Sequence, residues 1–571
     1  MNGRPDRAGP PLSYSRGVPL SDETGIGALT LGEYLREVCA RHGPREAAVL
    51  SEGEQAERWT YDQLWERSVE VARALIACGV GHGTRVGVLM TNRLEFLSAF
   101  FGTALAGGVA TTISTFFTAS ELDEVLRVSG CSVLLFEREV LKKDFAAILR
   151  EIEPAIAEAQ PGQLRSLRYP WLRHLACVGP ADDGDAIEPW DGFLACGRAV
   201  SCGRVDASSR AVRPSDPGTL FFSSGSTGKA KGILSAHRGA CLQLWRWAQW
   251  YGFDEPPRTW SSNGFFFSGN FCQALGGTLS AGGTLVLQRW FDAEAALALM
   301  AAERASMLLA WPHQWAQLQA APNYDAVDLS AMRYIDALTP IAQHPTIATT
   351  WREPARAYGC TETFTLISVF PGNAPDSLAG KSHGLPTGGS TIKIVDPFTG
   401  VAMPLGERGE VAVKGPTLML GYIGIPLDET LDDEGFYRTG DGGWLDEGGR
   451  LHWEGRLNDI IKTGGANVSP LEIDNVIRDL PGVKIVQTVG VPDDLLGELV
   501  VSCIVPHEGQ GLDENAIRDF ARKSLASYKV PRRVLFFSEG DLATTGSAKI
   551  KTADLRALAT TRLSEPGQRP T

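Results

Sequence analysis

No Cys-x-x-Cys pair occurs in this chain of 571 residues, and its ten cysteines are scattered from Cys39 to Cys503. The one close pair, Cys196 and Cys202, lacks zinc-finger spacing, so neither a thiolate metal site nor a disulfide scaffold is expected. Reduced thiols of a cytoplasmic protein are the expectation instead. No apolar run approaches the ~20 residues a membrane span needs, and none near the amino end suits a signal peptide. An excess of positive charge is missing too: 54 Lys and Arg stand against 67 Asp and Glu, a formal charge of −13. Such a balance disfavours broad nucleic-acid or membrane-surface binding, so any polyanion must be held by local loops. Internal repeats are absent. A chain this long exceeds what one core can organise, and two or more domains follow.

What is present is an alternation of short apolar runs and helix-like stretches over the first 350 residues. Residues 86–90, 134–136, 285–287 and 307–310 read as buried strands. Residues 94–109 and 293–304 carry helical spacing. This order predicts an α/β architecture with largely parallel sheets. The segment 201–218, polar and proline-containing, reads as a surface connection. From about residue 391 the pattern turns to period two, in 391–395 and 409–414, predicting a small antiparallel β subdomain. A last unit follows with a helix over 470–480, strands over 484–491 and 499–505, and a helix over 514–525. The expected division is a flexible tail over 1–28, a large domain over 29–457, a small mobile α+β domain over 458–560 and a frayed end over 561–571.

The most informative stretch is Phe221-Phe222-Ser223-Ser224-Gly225-Ser226-Thr227-Gly228-Lys229-Ala230-Lys231-Gly232. Glycines admit close backbone approach, hydroxyls donate hydrogen bonds and lysines bring compact positive charge, a combination suited to a nucleotide triphosphate. The Walker spacing is absent. Downstream come Tyr358-Gly359-Cys360-Thr361-Glu362, suited to a phosphate oxygen and a magnesium ion, and Tyr437-Arg438-Thr439-Gly440-Asp441, suited to ribose hydroxyls. Gly455-Arg456-Leu457-Asn458 marks the expected domain boundary. A glycine loop, Lys462-Thr463-Gly464-Gly465, and Thr545-Gly546-Ser547-Ala548-Lys549 complete the series.

In this order and spacing, from about residue 30 to 560, the chain resembles the adenylate-forming superfamily of acyl-CoA synthetases, luciferases and peptide-synthetase adenylation domains, and the acyl-CoA synthetases most closely. The resemblance implies that ATP and a carboxylic acid give an acyl adenylate and pyrophosphate, after which the acyl group passes to a thiol of coenzyme A. It implies that Ser223, Ser224, Gly225, Ser226, Thr227, Gly228 and Lys231 surround the ATP phosphates. Thr361 would bind phosphate and Glu362 a Mg2+ ion. Tyr358, with Gly359 and Cys360, would lie on adenine, and Asp441 and Arg456 would hold the ribose. Lys549 would bridge the acid and the α-phosphate. Asn458 falls at the hinge about which the small domain turns, exchanging Lys549 for the Gly464 and Gly465 loop. A monomer or homodimer is the family expectation.

Three departures stand out. Ala548 replaces the glycine usual before the lysine. Ala337 and Leu338 replace small residues in the turn that lines the acyl and adenine pocket. Phe267 takes the usual place of a histidine. With Asn270 and Phe271 it predicts an apolar acyl pocket, and no aspartate there could pair with an α-amino group. His237 and His313 read as structural. A full two-step ligase, an enzyme converting only a preformed acyl adenylate, and a stand-alone adenylation enzyme loading a carrier protein are all compatible. A non-catalytic nucleotide binder is disfavoured by the joint presence of Thr361, Glu362, Asp441, Arg456 and Lys549. The acid itself is left open.

Overall fold

The computed structural model describes residues 11–564 except 53–54, 181–183, 225–229, 355, 376, 378–381, 458–460, 469, 508–510 and 539–551. Two sheets layered with helices form the body of the large domain. The first holds eight strands, ordered Ile187–Pro189, His174–Val178, Val133–Glu137, Arg85–Leu89, Val109–Thr112, Pro217–Ser224, Ala230–Ala236 and Gly421–Tyr422. It is parallel up to the pairing of Thr219 with Ala110, then antiparallel through the hairpin that follows. The second sheet orders Met307–Leu309, Arg258–Ser261, Thr284–Leu287, Glu46–Glu52 and Gln55–Thr60. Between them runs the helix Leu94–Leu105, buried at every position but Glu95. One core extends from Val86 and Val88 through Leu97, Phe100 and Phe101 to Leu285 and Leu287. The helix stops at Leu105 rather than 109 because Gly107 takes φ +85° and Val109 already begins a strand.

A third, antiparallel sheet orders Tyr14–Arg16, Thr391–Val395, Gly409–Lys414, Tyr437–Leu445 and Leu451–Arg456. This corrects the flexible tail expected over 1–28, because Tyr14 pairs with Lys393 and Arg16 with Thr391. Glu23 reinforces it with two 2.7 Å hydrogen bonds from Arg246, whose side chain is 1% exposed. The segment 201–218 also differs from expectation, since Cys202–Ala211 is helical. Ser201 caps it by accepting from Arg204 N, and Val205 and Ser209, one turn apart, are buried; composition hid a short amphipathic face.

The small domain is α+β. Ala466–Val468, Ile461–Thr463, Gly497–Pro506 and Val483–Asp493 form an antiparallel sheet, to which Arg533–Phe536 adds in parallel. Helices Pro470–Arg478 and Glu514–Arg522 cover it through Ile473, Ile477, Ile517 and Ala521. A further helix runs to Ser564, past the end expected at 560. The expected boundary at 457–458 and the hinge residue Asn458 fall at or within the undescribed residues 458–460.

Asp474 is buried beside this sheet and accepts from Thr488 N at 2.8 Å; desolvation pushes its carboxyl up to about 7. The folded chain therefore binds more protons than the unfolded one between about pH 4 and 7, and stability falls as pH rises through that window. Asp474→Asn keeps the acceptor without the charge. Thermal unfolding should show this pH slope removed and roughly 2–4 kcal/mol gained at pH 8. An unchanged slope would discard the assignment.

Candidate active site

Strands Pro217–Ser224 and Ala230–Ala236 form the hairpin that carries the glycine and hydroxyl run. Register places Ser223 opposite Lys231 and Ser224 opposite Ala230. Gly225, Ser226, Thr227 and Gly228 lie outside the described residues. Lys231 leaves the second strand with its ammonium 4.9 Å from the centre of the Tyr422 ring.

The second motif is a tight hairpin, Tyr358–Cys360 against Thr365–Val369, joined by the turn Thr361–Thr363. Only glycine fits at 359, because a Cβ there would lie 1.7 Å from Thr365 O. Thr363 fastens the turn by accepting from Cys360 N at 3.0 Å and donating to Thr365 O at 2.7 Å. Phe364 and Thr365 then take φ +53° and +112°, costly angles for bulky and β-branched residues. Buried Phe364, packed edge-on against Phe221, holds them there. The turn projects Glu362, whose Oε1 accepts from Tyr422 Oη at 2.7 Å. Tyr422 in turn lies 3.0 Å from the Tyr437 hydroxyl. A single carboxylate of this kind fits Mg2+, which takes one or two protein carboxylates together with substrate phosphates.

Four residues before Glu362, Tyr358 donates to Asp441 Oδ2 at 2.7 Å. Both are buried, and desolvation with the Asp441 charge raises the phenol well above its ordinary range, keeping it a donor. Asp441 pairs in register with Arg456 across the third sheet. The expected adenine and ribose residues therefore converge beside the phosphate hairpin and the carboxylate turn.

Of the residues expected to line an acyl pocket, Phe267 reaches the cleft, 38% exposed, while Phe271 is fully buried in the core behind it against Phe100 and Phe221. Asn270 spends its amide on Ser261 and on Asn263 O, bracing the loop. Ala337 donates to Trp351 O at 2.9 Å, and Leu338 is 73% exposed. Phe116, unforeseen from sequence, joins Phe266 and Phe267 edge-on and tilted at 5.4 and 6.3 Å. Lys143 fixes that loop by donating to the carbonyls of Thr115, Phe116 and Phe117 at 2.8–2.9 Å.

The small domain closes on this face. Gly464 and Gly465 adopt φ +55° and +79°, and a Cβ at Gly465 would lie 2.5 Å from the Trp311 indole. Tyr528 packs on Phe116, and buried Lys529 bonds Glu472 at 2.7 Å and Glu121 of the large domain at 3.0 Å. A cavity of about 30 Å³ remains between the domains, bordered by Ser223, Phe266, Phe267, Tyr528 and Lys529. Sequence reasoning missed Tyr422, Glu121 and Lys529. The lone cation in Leu525-Ala526-Ser527-Tyr528-Lys529-Val530 was the available signal of a buried charge. Lys549 lies outside the described residues.

His237 does no chemistry here. It is buried, its Nδ1 accepts from Leu31 N at 3.2 Å, and desolvation lowers its imidazole to about 4. No helix among the described residues is long and apolar enough to cross a membrane.

A small domain closing over the junction of two layered sheets is the architecture of adenylate-forming enzymes. A solved fatty acyl CoA synthetase of Mycobacterium tuberculosis has this fold, with TM-score 0.61 and 25% identity over 94% of this chain and 99% of its own. Residues 35–423 match the AMP-binding enzyme model and 472–549 the AMP-binding enzyme C-terminal domain; the chain belongs to this family of enzymes. Among curated relatives, the 3-[(3aS,4S,7aS)-7a-methyl-1,5-dioxo-octahydro-1H-inden-4-yl]propanoyl:CoA ligase of M. tuberculosis is 30% identical, covering 91% of this chain and 97% of that protein. The mitochondrial medium-chain acyl-CoA ligase ACSF2 of Macaca fascicularis is 28% identical, covering 95% of this chain and 89% of its own.

Proposed function

We propose that this chain is an AMP-forming acyl-CoA ligase acting on a hydrophobic carboxylic acid. The supporting observation is the convergence of Lys231, Glu362 and the Tyr358–Asp441 pair on one cleft beneath the small domain. In the first step an acid oxygen attacks the α-phosphorus of ATP and pyrophosphate leaves. Two anions meet in that step, so charge neutralisation and positioning dominate. Lys231 and the hydroxyls around Ser223 serve the phosphates, Asp441 and Arg456 the ribose, and Lys549 the developing charge between acid and phosphate. Mg2+ held by Glu362 and Thr361-bound phosphate oxygens would supply further neutralisation of the polyphosphate. In the second step the CoA sulfur attacks the acyl carbonyl and AMP leaves, after the small domain turns about Asn458.

The aromatic group Phe116, Phe266 and Phe267, with exposed Leu338, supports an apolar acid. So do the bicyclic and medium-chain acids in the relatives' names. Gly465 against Trp311 is the arrangement expected for thioester formation, and with Ala548 it favours, as a second reading, an enzyme that only converts a preformed acyl adenylate. Mass spectrometry with ATP, Mg2+ and a pool of apolar acids, with and without CoA, separates the two. Acyl-AMP that becomes acyl-CoA on adding CoA supports the full ligase. No adenylate from any acid, but conversion of synthetic acyl-AMP, supports the second reading.

A further inference from the structure

We propose that Tyr422, resting on the nucleotide reading above, is a positioning residue that holds Glu362 and Lys231 apart and aligned on one Mg2+–polyphosphate. Tyr422 lies on the two-residue edge strand Gly421–Tyr422, pinned to the strand bearing Lys231 by the Ile233–Tyr422 pairing. Leu420 N donates to Leu234 O at 2.7 Å and Ile423 N to Gly232 O at 2.8 Å, so the strand is fastened on both sides of the tyrosine. The ring is therefore fixed by the same backbone that delivers the lysine.

Its proton can be assigned. A carboxylate only accepts, so the single phenolic hydrogen of Tyr422 goes to Glu362 at 2.7 Å. The Tyr437 hydroxyl, 3.0 Å away, must then donate to the Tyr422 oxygen, giving a one-way chain from Tyr437 to Tyr422 to Glu362. Meanwhile its ring faces the Lys231 ammonium at 4.9 Å, a cation–π contact. The lysine and the carboxylate thus have separate partners on one side chain, and no ion pair joins them. Lys231 is left to a phosphate, and the second oxygen of Glu362 to a cation.

The test uses the full-length chain and three variants. Calorimetric titration of ATP at varied Mg2+ should show Tyr422→Phe needing about tenfold more Mg2+ for half-saturation, the worth of one charge-assisted hydrogen bond. Tyr422→Leu, which also frees Lys231, should weaken ATP binding further even at saturating Mg2+. The rate of adenylation should fall relative to conversion of synthetic acyl-AMP by CoA, which does not use the polyphosphate. Tyr437→Phe, which removes the bond into Tyr422 and keeps the ring, should move Mg2+ dependence the same way by less, and guards against a folding failure at 422. Unchanged Mg2+ half-saturation in Tyr422→Phe, or equal loss in both half-reactions, overturns the role. An unsubstituted chain that binds no Mg·ATP overturns the nucleotide reading itself.

Discussion

Gly465→Ala is expected to slow acyl transfer to CoA about 100-fold, the typical cost of an ångström-scale misplacement, while adenylate formation stays within about threefold. A Cβ at this position would sit 2.5 Å from the Cδ2 and Cε2 atoms of Trp311, well inside van der Waals contact, and at φ +79° the backbone also resists a side chain. The loop must then back away from the cleft it closes. Adenylation, assigned to the pose that presents Lys549, does not need this contact. Rapid-quench assays of each half-reaction give the comparison. Trp311→Ala combined with Gly465→Ala should restore part of the lost transfer rate by making room. Equal slowing of both half-reactions would instead mean general damage to the small domain.

Lys529→Met should cost about 3–5 kcal/mol, because it strands two carboxylates beside each other in a dry interface. The ammonium is 5% exposed and its partners Glu121 and Glu472 are 11% and 10% exposed. Glu121 is bound on both sides. Oε2 accepts from Thr118 N and Oγ1 at 2.9 and 3.0 Å in the capping box of the helix Ala119–Ser129, while Oε1 takes Lys529 at 3.0 Å. Glu472 belongs to the small domain with Lys529, whereas Glu121 belongs to the large one, so in the proposed turn only Glu121 would be exchanged. Glu121→Gln should therefore leave folding nearly intact but lower acyl transfer about fivefold, the loss of one charged hydrogen bond in this pose alone. Thermal unfolding and the two half-reaction rates decide it. A Glu121→Gln chain as unstable as Lys529→Met would make the contact structural only.

Period and order in the sequence made the α/β layers, the antiparallel subdomain and the small α+β domain legible, because burial on one or both faces writes itself into spacing. The motifs were legible for a different reason. Gly359 has no room for a side chain, and Asp441 and Arg456 lie opposite each other in a register the sequence could only imply. What escaped reading depends on partners far along the chain. Residues 14–16 look like a loose tail until the strand near 391 exists to receive them. Tyr422 is one of eleven tyrosines until Glu362 and Lys231 meet across it. Phe271 and Phe267, four residues apart, part company because Phe267 is the extended N-cap before the turn Ser268–Asn270, whereas Phe271 continues the helical path into the core.

The pairing of Tyr14–Arg16 with Thr391–Val395 also sets a timetable for birth of the molecule. On a ribosome adding about 5–20 residues per second, the strand Tyr14–Arg16 waits roughly 20–75 s for its neighbour to emerge. Arg246 leaves the ribosome after Glu23 but long before that sheet can hold the glutamate in place. The amino-terminal segment is thus an early product and a late tenant, and the nascent large domain ripens only as its third sheet is finished.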